Sequence, residues 1–349
     1  MYRRESRQVK VGDVLIGGNA PIVVQSMLNA PQGDIEANIN QARELSAAGC
    51  QLIRLSITNE EDIETIKALK ENIKVPLVAD IQMNYKLALM SVEAGIDKIR
   101  INPRYIGGKD KIQLVADACK AAGVPIRVGV NSGSVETELL EKYGGVTPEA
   151  MAESALRGVK YLEDADFHDI VISIKSSDIR TMIAAYRLVA EKCDYPLHLG
   201  VTEAGTERMG RVKSAIGIGS LLADGIGDTM RVSLTDDPVI EIDAANDILK
   251  GLDLLPDAPQ MVSCPTCGRT QIDLIGIAKE VENRLASVHK PIRVAVMGCP
   301  VNGPGEAKNA DIGIAGGNGV GLIFSKGEVI KKVKEEELID ELFKEIERL

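Results

Sequence analysis

The chain has 349 residues, 45% of them apolar, yet aromatics make up only 3% and tryptophan is absent. Its core must come from Ile, Val, Leu and Ala, as in α/β proteins with buried parallel strands, and its length holds one large domain plus a smaller one. A formal net charge of −10 argues against a general nucleic-acid binder, no apolar run reaches membrane-spanning length, and the N-terminal MYRRESRQVKVG lacks the apolar core of a signal peptide. Six cysteines are too few for a disulfide framework in so long a chain, which points to a reducing cytoplasm.

Residues 1–20 read as a short apolar-and-basic lead-in, a hairpin capping a barrel floor. From residue 21 short β-branched runs alternate with helical patterns. Strands are expected at Ile22–Gln25, Leu52–Leu55, Pro76–Ala79, Lys98–Ile101, Ile126–Val130, Ile170–Ile174, Leu197–Val201 and Thr229–Val232. Amphipathic helices such as Ile35–Ala48, Glu60–Glu71, Lys109–Ala122 and Ile179–Lys192 lie between them, and Pro238–Lys250 opens with a proline suited to a first helical turn. Eight strand–helix units over residues 1–250 predict a (β/α)₈ TIM barrel. Periodicity counts strands without showing closure, so a doubly wound sheet is the alternative.

The segment 251–260, with two prolines and no period, reads as a linker. Residues 261–349 form a smaller α/β domain, with a helix at Ile272–Leu285, strands at Arg293–Met297, Ile312–Ala315 and Leu322–Phe324, and a charged helix at Lys334–Leu349. Its chemistry lies in Cys264-Pro265-Thr266-Cys267 and, after a 31-residue gap, Met297-Gly298-Cys299-Pro300-Val301-Asn302-Gly303-Pro304-Gly305-Glu306. The fourth cysteine of a zinc clip or ordinary cubane is missing; a Gly/Pro turn delivers Glu306 instead. Three thiolates and one carboxylate suit a [4Fe-4S] cluster with one replaceable ligand.

A barrel's active site lies at the C-terminal ends of its strands. The residues on or just after the strands are Gln25 and Ser26, Arg54, Asp80, Arg100 and Asn102, Arg127 and Asn131, Lys175, Thr202 and Glu203, then Arg231 and Ser233. Five strands contribute Arg or Lys in an acidic protein. Guanidinium forks match phosphate oxygens, so the ring suits a compact polyanion such as a diphosphate. Singly, each cation could instead cap a loop carboxylate. Glu203 is a lone carboxylate at the edge of this site, either a general acid/base or an arginine's counter-ion; Asp80 is a weaker candidate of the same kind.

Other signals read as structural. Gly313–Gly321 (GIAGGNGVG) matches neither nucleotide-loop pattern and is expected to be a flexible hairpin turn. Cys50, Cys119 and Cys193 fall on or beside barrel helices as inert thiols. His168, His198 and His289 form no metal-binding spacing. Lys331-Lys332 and Glu335–Glu337 read as a solvated face.

Over nearly its whole length the chain resembles the bacterial 4-hydroxy-3-methylbut-2-enyl diphosphate synthase family of the non-mevalonate isoprenoid pathway. The resemblance rests on Val24-Gln25-Ser26-Met27, Val78-Ala79-Asp80-Ile81, Arg100-Ile101-Asn102-Pro103, Gly129-Val130-Asn131-Ser132-Gly133-Ser134, and the run from Pro196 through Val201-Thr202-Glu203 to Gly205. It continues in Lys213-Ser214-Ala215-Ile216-Gly217, Gly225–Thr229, Arg231-Val232-Ser233-Leu234, the Cys264/Cys267 turn and Asn302–Ala307. It implies reductive opening of 2-C-methyl-D-erythritol 2,4-cyclodiphosphate, with two electrons consumed and water lost. It also implies a [4Fe-4S] cluster on Cys264, Cys267, Cys299 and Glu306, with diphosphate binding by Arg54, Arg100, Arg127, Lys175 and Arg231. Asn131, Ser233 and Thr202 become polar partners and Glu203 the barrel acid. A flavodoxin or ferredoxin donor and a head-to-tail homodimer follow on the same ground. The chain departs from the family pattern in two places: Asp80-Ile81-Gln82-Met83 lacks the histidine of many relatives, and Asn102-Pro103-Arg104-Tyr105 adds a cation near the site.

Two rivals differ in class. A non-redox barrel enzyme with a structural zinc module would lack visible sulfur-to-iron absorbance, and a pure electron carrier has no use for a cationic barrel mouth. A radical-SAM enzyme is disfavoured because the CxxxCxxC spacing is absent.

Overall fold

The computed structural model describes residues 3–300, 307–317 and 319–349, arranged in two compact units, Met1–Leu252 and Asp253–Leu349. The first begins with an antiparallel hairpin, β1 (Val9–Val11) and β2 (Val14–Ile16). Strand–helix units follow: β3 (Val23–Met27), α1 (Ile35–Ala47), β4 (Leu52–Ile57), α2 (Asp62–Asn72), β5 (Leu77–Ile81), α3 (Tyr85–Glu93), β6 (Lys98–Ile101) and α4 (Lys109–Ala122). The second half adds β7 (Ile126–Asn131), α5 (Thr137–Tyr143), α6 (Pro148–Asp164), β8 (Ile170–Lys175), α7 (Ile179–Lys192), β9 (His198–Leu199), α8 (Glu207–Ala223), β10 (Thr229–Met230) and α9 (Pro238–Gly251).

All eight barrel strands are parallel, in the order β8-β7-β6-β5-β4-β3-β10-β9, and an Ile172–Leu197 bridge closes the ring. The seam is its thinnest part, because β9 and β10 are two residues each, shorter than the expected Leu197–Val201 and Thr229–Val232. The N-terminal segment laces it. Arg4 donates to the carbonyls of Cys193 and Tyr195 at 2.6 and 2.5 Å, and buried Asp228 takes Ser6 Oγ and Leu197 N at 2.8 Å each. The hairpin lies where expected, with Val11 and Ile16 packed on Val23, Leu52 and Val78 at the barrel floor.

Strand register sorts the inward side chains into rings drawn from alternate strands, as closure with shear requires. The lowest ring is Leu52, Lys98, Val171 and Thr229. Above it lie Gln25, Val78, Arg127 and His198, then Arg54, Arg100, Ser173 and Arg231. Met27, Asp80, Gly129 and Gly200 follow, and Ser56, Asn102, Lys175 and Ser233 stand at the mouth. Barrel interiors are usually filled by branched apolar residues. This one is largely polar from its second ring upward.

In the second unit β11 (Gln260–Ser263), β12 (Arg293–Met297) and β13 (Ile312–Gly317) run parallel, and β14 (Val320–Ser325) and β15 (Glu328–Val333) continue the sheet antiparallel. Helices α10 (Leu274–Leu285) and α11 (Leu338–Arg348) pack on the face carrying Val294, Val296 and Ile314, whereas Ala295, Met297 and Ala315 form a second cluster with Phe324. The glycine-rich run is mostly strand. Gly313 lies in β13, where a Cβ would meet the Phe324 ring at 2.5 Å, and Gly321 lies in β14, where it would meet Leu338 at 2.2 Å. These glycines let the sheet and helix approach, and the strand pairing runs out to Gly317 and Val320.

Candidate functional site

At the barrel mouth the strands enclose a cavity of about 230 Å³. Arg54, Arg100, Arg127, Lys175 and Arg231 all line it, with Asn131, Thr202 and Ser233, so five cations expected from separate strands converge. Gln82 and Ser173 line it as well. Gln82 was noted in the sequence only as a missing histidine, and Ser173 carried no signal because its inward direction depends on register.

Buried carboxylates hold part of the ring. Asp80, 1% exposed, receives Arg54 at 2.8 Å and Arg100 at 3.0 Å. Burial alone would raise its pKa, but Arg54, Arg100 and Arg127 bring it down to about 2, so Asp80 is a permanent anion rather than a proton carrier. Glu241 on α9, 3% exposed, accepts Arg231 Nε and Nη2 at 3.2 and 3.1 Å, Ser26 Oγ at 3.0 Å and the Leu234 N–H at 3.0 Å. Sequence reading missed Glu241, since a glutamate one turn into a helix looks like surface.

The other two cations are different. Arg127 and Lys175 have no carboxylate partner among the described residues, and the one hydrogen bond of Arg127 is to Gln25 Oε1 at 3.4 Å. Burial, then Arg54, Arg231, Arg127 and Arg100, pushes the Lys175 amine well below its ordinary value. Burial also lowers Arg54, to about 10, which leaves it charged at neutral pH. Carboxylate capping thus accounts for three of the five cations and leaves positive charge facing the cavity.

In the second unit the Cys264–Cys267 turn is tied to the strand end that carries Cys299. Gly298 N donates to Cys264 Sγ at 3.2 Å, and Gln271 N donates to Gly298 O at 3.0 Å. Cys299 is 4% exposed, Cys264 half-buried and Cys267 exposed. Hydrogen bonds from the Arg269 backbone and side chain lower the Cys267 thiol, and all three thiols act on Arg269. A turn that favours thiolate at Cys267 and is hydrogen-bonded to the strand end carrying Cys299 fits an iron–sulfur group. Among the described residues no three of His, Cys, Asp and Glu come close enough to hold one metal ion; a cluster, whose thiolates sit on separate irons, asks for a wider spacing. Glu306 lies outside the described residues, as does the turn from Val301 that leads to it.

The GcpE TIM-barrel domain model matches residues 6–246, and that of the GcpE protein C-terminal domain matches residues 260–348. The chain belongs to the GcpE family. A 4-hydroxy-3-methylbut-2-en-1-yl diphosphate synthase (flavodoxin) of Clostridium perfringens is 57% identical over 349 residues, the whole of both chains. One of Ruminiclostridium cellulolyticum with the same name is 56% identical over 347 residues, 99% of this chain and 98% of that one. Among solved structures, dihydropteroate synthase of Stenotrophomonas maltophilia has a TM-score of 0.53 at 16% identity, covering 72% of this chain and all of that one. A type I 3-dehydroquinate dehydratase of Clostridium difficile has a TM-score of 0.53 at 14% identity, covering 71% and 98%. These two share the barrel fold alone.

Two residues of this GcpE-family chain sit differently from the sequence expectation. Glu203 follows Thr202 on the loop after β9, but its side chain is exposed and is not among the residues lining the cavity. Its φ of 53° is left-handed, a strained conformation for glutamate of the sort that marks functional loops. Arg104, expected as an added cation near the site, is not among the residues lining the cavity; it donates to Val135 O at 2.6 Å and lies 5.5 Å from the Tyr105 ring centroid. Burial raises the Cys50 thiol to about 11 and the Cys119 thiol to about 12, which keeps both inert. No helix among the described residues is long and apolar enough to cross a membrane.

Proposed function

We propose that the chain converts 2-C-methyl-D-erythritol 2,4-cyclodiphosphate to (E)-4-hydroxy-3-methylbut-2-enyl diphosphate, by reductive ring opening with loss of water. It is an oxidoreductase, and its two electrons come from flavodoxin or ferredoxin through a [4Fe-4S] cluster. The observation that carries this reading is the cationic cavity of a protein with net charge −10, in which Arg127 and Lys175 lack a protein counter-ion among the described residues. A diphosphate supplies the missing anion.

Arg54, Arg100 and Arg231, preset by Asp80 and Glu241, present guanidinium forks to phosphate oxygens without reorganising. Arg127 and Lys175 add charge from below and from the side, and Asn131, Thr202 and Ser233 orient the carbon skeleton by hydrogen bonds. Glu203, beside Thr202, delivers the proton that the departing water requires. Cys264, Cys267 and Cys299, with Glu306 as the fourth and displaceable ligand, hold the cluster. When bound, the cluster supplies the electrons one at a time.

We place the enzyme in the cytoplasm, where its six unpaired cysteines stay reduced, and in a head-to-tail homodimer. The test is anaerobic purification with iron and sulfide analysis, followed by turnover of the cyclic diphosphate with a chemical reductant. About four irons and four sulfides per chain with reductant-dependent product are expected. A colourless zinc protein, or a cluster protein that leaves the cyclic diphosphate unchanged, would overturn the reading.

A further inference from the structure

Below the cavity the barrel interior carries a second set of buried polar side chains, of which the proposed diphosphate site uses only Arg127. Four side chains there carry a buried atom with no hydrogen-bond partner among the described residues: Gln25 Nε2, Lys98 Nζ, Arg127 Nε and His198 Nε2. Gln25 and Arg127 are 1% exposed, Lys98 and His198 0%. Gln25, Arg127 and His198 belong to one ring and Lys98 to the ring beneath it. An eight-stranded barrel is only as wide as the side chains that fill it, so these groups meet on the axis. Arg127 crosses that axis to reach Gln25 at 3.4 Å, and His198 Nδ1 lies 3.4 Å from Thr229 Oγ1 in the ring of Lys98.

The unpartnered atoms share one polarity. Gln25 turns its oxygen to Arg127, which leaves its NH₂ as the free end. Arg127 Nε can only donate. His198 Nε2 is a donor in the tautomer whose Nδ1 accepts from the Thr229 hydroxyl, the tautomer an anion at Nε2 selects. Protonated Lys98 donates as well. Leaving such a donor buried and unpaired is costly, the more so when it is charged. Neither ring contains a carboxylate, and Asp80, two rings above Arg127, is occupied by Arg54 and Arg100. One water accepts two hydrogen bonds and must place two hydrogens of its own, which a shell of donors does not allow. A monatomic anion accepts from all four and offsets the charge of Lys98, leaving the outer face of the Arg127 guanidinium to the diphosphate.

We propose that this part of the barrel interior is a binding site for a monatomic anion of the halide class, held by Gln25, Lys98, Arg127 and His198. Burial, then Arg127 and Arg54, pushes the Lys98 amine well below its ordinary value, and an anion among the same donors acts in the opposite sense. Its place under Arg127 fixes that side chain from below and leaves the far end of the guanidinium to the cavity.

Two measurements on the full-length, cluster-loaded protein decide the matter. Crystals grown in bromide should give an anomalous peak on the barrel axis within hydrogen-bonding reach of Lys98 Nζ and Arg127 Nε. The melting temperature should rise by about 2–4 °C in potassium chloride over potassium gluconate of equal ionic strength, and Lys98→Met should abolish that difference. No anomalous density on the axis, or a chloride effect unchanged in Lys98→Met, would overturn the proposal. If Lys98→Met does not fold, the diffraction result on the unaltered protein decides alone.

Discussion

Lys175 shows how single residues are tuned for an anion. Its amine lies among four arginines with no carboxylate partner among the described residues, and burial with those charges holds its pKa well below the ordinary lysine value. A bound diphosphate places negative charge beside the amine, which opposes the arginines and favours the protonated form. The pKa in the complex therefore exceeds that of the free protein, and binding takes up a proton at any pH between the two. Affinity should fall as pH rises through that window, by up to about tenfold per unit. Calorimetry in buffers of different ionisation enthalpy should detect the uptake, and Lys175→Met should remove it; equal heats in all buffers for the unaltered protein would sink the idea. The arginines act differently because they stay charged. Truncating Arg54, Arg127 or Arg231 to alanine removes a charge-assisted contact worth about 1.5–3 kcal/mol, a ten- to hundredfold loss of affinity. Unchanged binding of the cyclic diphosphate in all three variants would leave the ring without that role.

At the scale of elements, the barrel strands set which side chains can coexist. Gly129 on β7 stands one ring above Arg100, against its guanidinium, and a Cβ there would meet Arg100 Nε at 2.3 Å. Gly129→Ala should therefore displace the guanidinium from Asp80 and weaken diphosphate binding about as much as Arg100→Ala does, with helical content retained by circular dichroism. Affinity equal to the unaltered protein would mean that Arg100 has room to move. The loops of the second unit make a parallel case. Cys264→Ser, Cys267→Ser or Cys299→Ser should each abolish cluster assembly, because a hydroxyl is a poor ligand for sulfide-bridged iron. Glu306→Gln should retain a partly iron-depleted cluster and very little activity, read by iron analysis and turnover. Full activity in Glu306→Gln would remove that residue from the ligand set.

These elements also show where sequence reading stops. Alternating β-branched runs place all eight barrel strands within a few residues, since strands buried on both faces have little else they can be. The five cations were legible because each lies on or just after an expected strand, although Arg127, second in β7, sits deeper than a strand-end residue. Which of them are neutralised was not, because Asp80 reaches Arg54 and Arg100 through strand register and Glu241 reaches Arg231 from a helix. In the second unit β15 (EVIKKV) reads as solvated charge, and it is indeed an edge strand whose first five residues are exposed. The four-residue β11 likewise has too little apolar pattern to stand out from the expected linker.

For the whole molecule, the proposed function requires that a cluster on the second unit meet a substrate on the first. The helix α9 ends at Gly251, and a barrel helix returns the chain toward the N-terminal ends of the strands, away from the mouth. The second unit starts at Asp253, two residues beyond the end of that helix, so the expected 251–260 linker is absorbed into the helix end and the second unit. A chain that leaves its barrel on the far side is better placed to serve a partner's mouth than its own. We therefore expect a head-to-tail dimer with two composite sites, each built from one chain's barrel and the other's cysteines. Mixing a Cys299→Ser chain with a Glu203→Ala chain then yields heterodimers in which one site combines an intact barrel with an intact cluster. Such heterodimers, isolated by two different affinity tags, should recover about half the activity of the unaltered dimer, whereas each parent homodimer stays inactive. Inactive heterodimers, together with a monomer that turns over substrate alone, would show that each chain completes its own site.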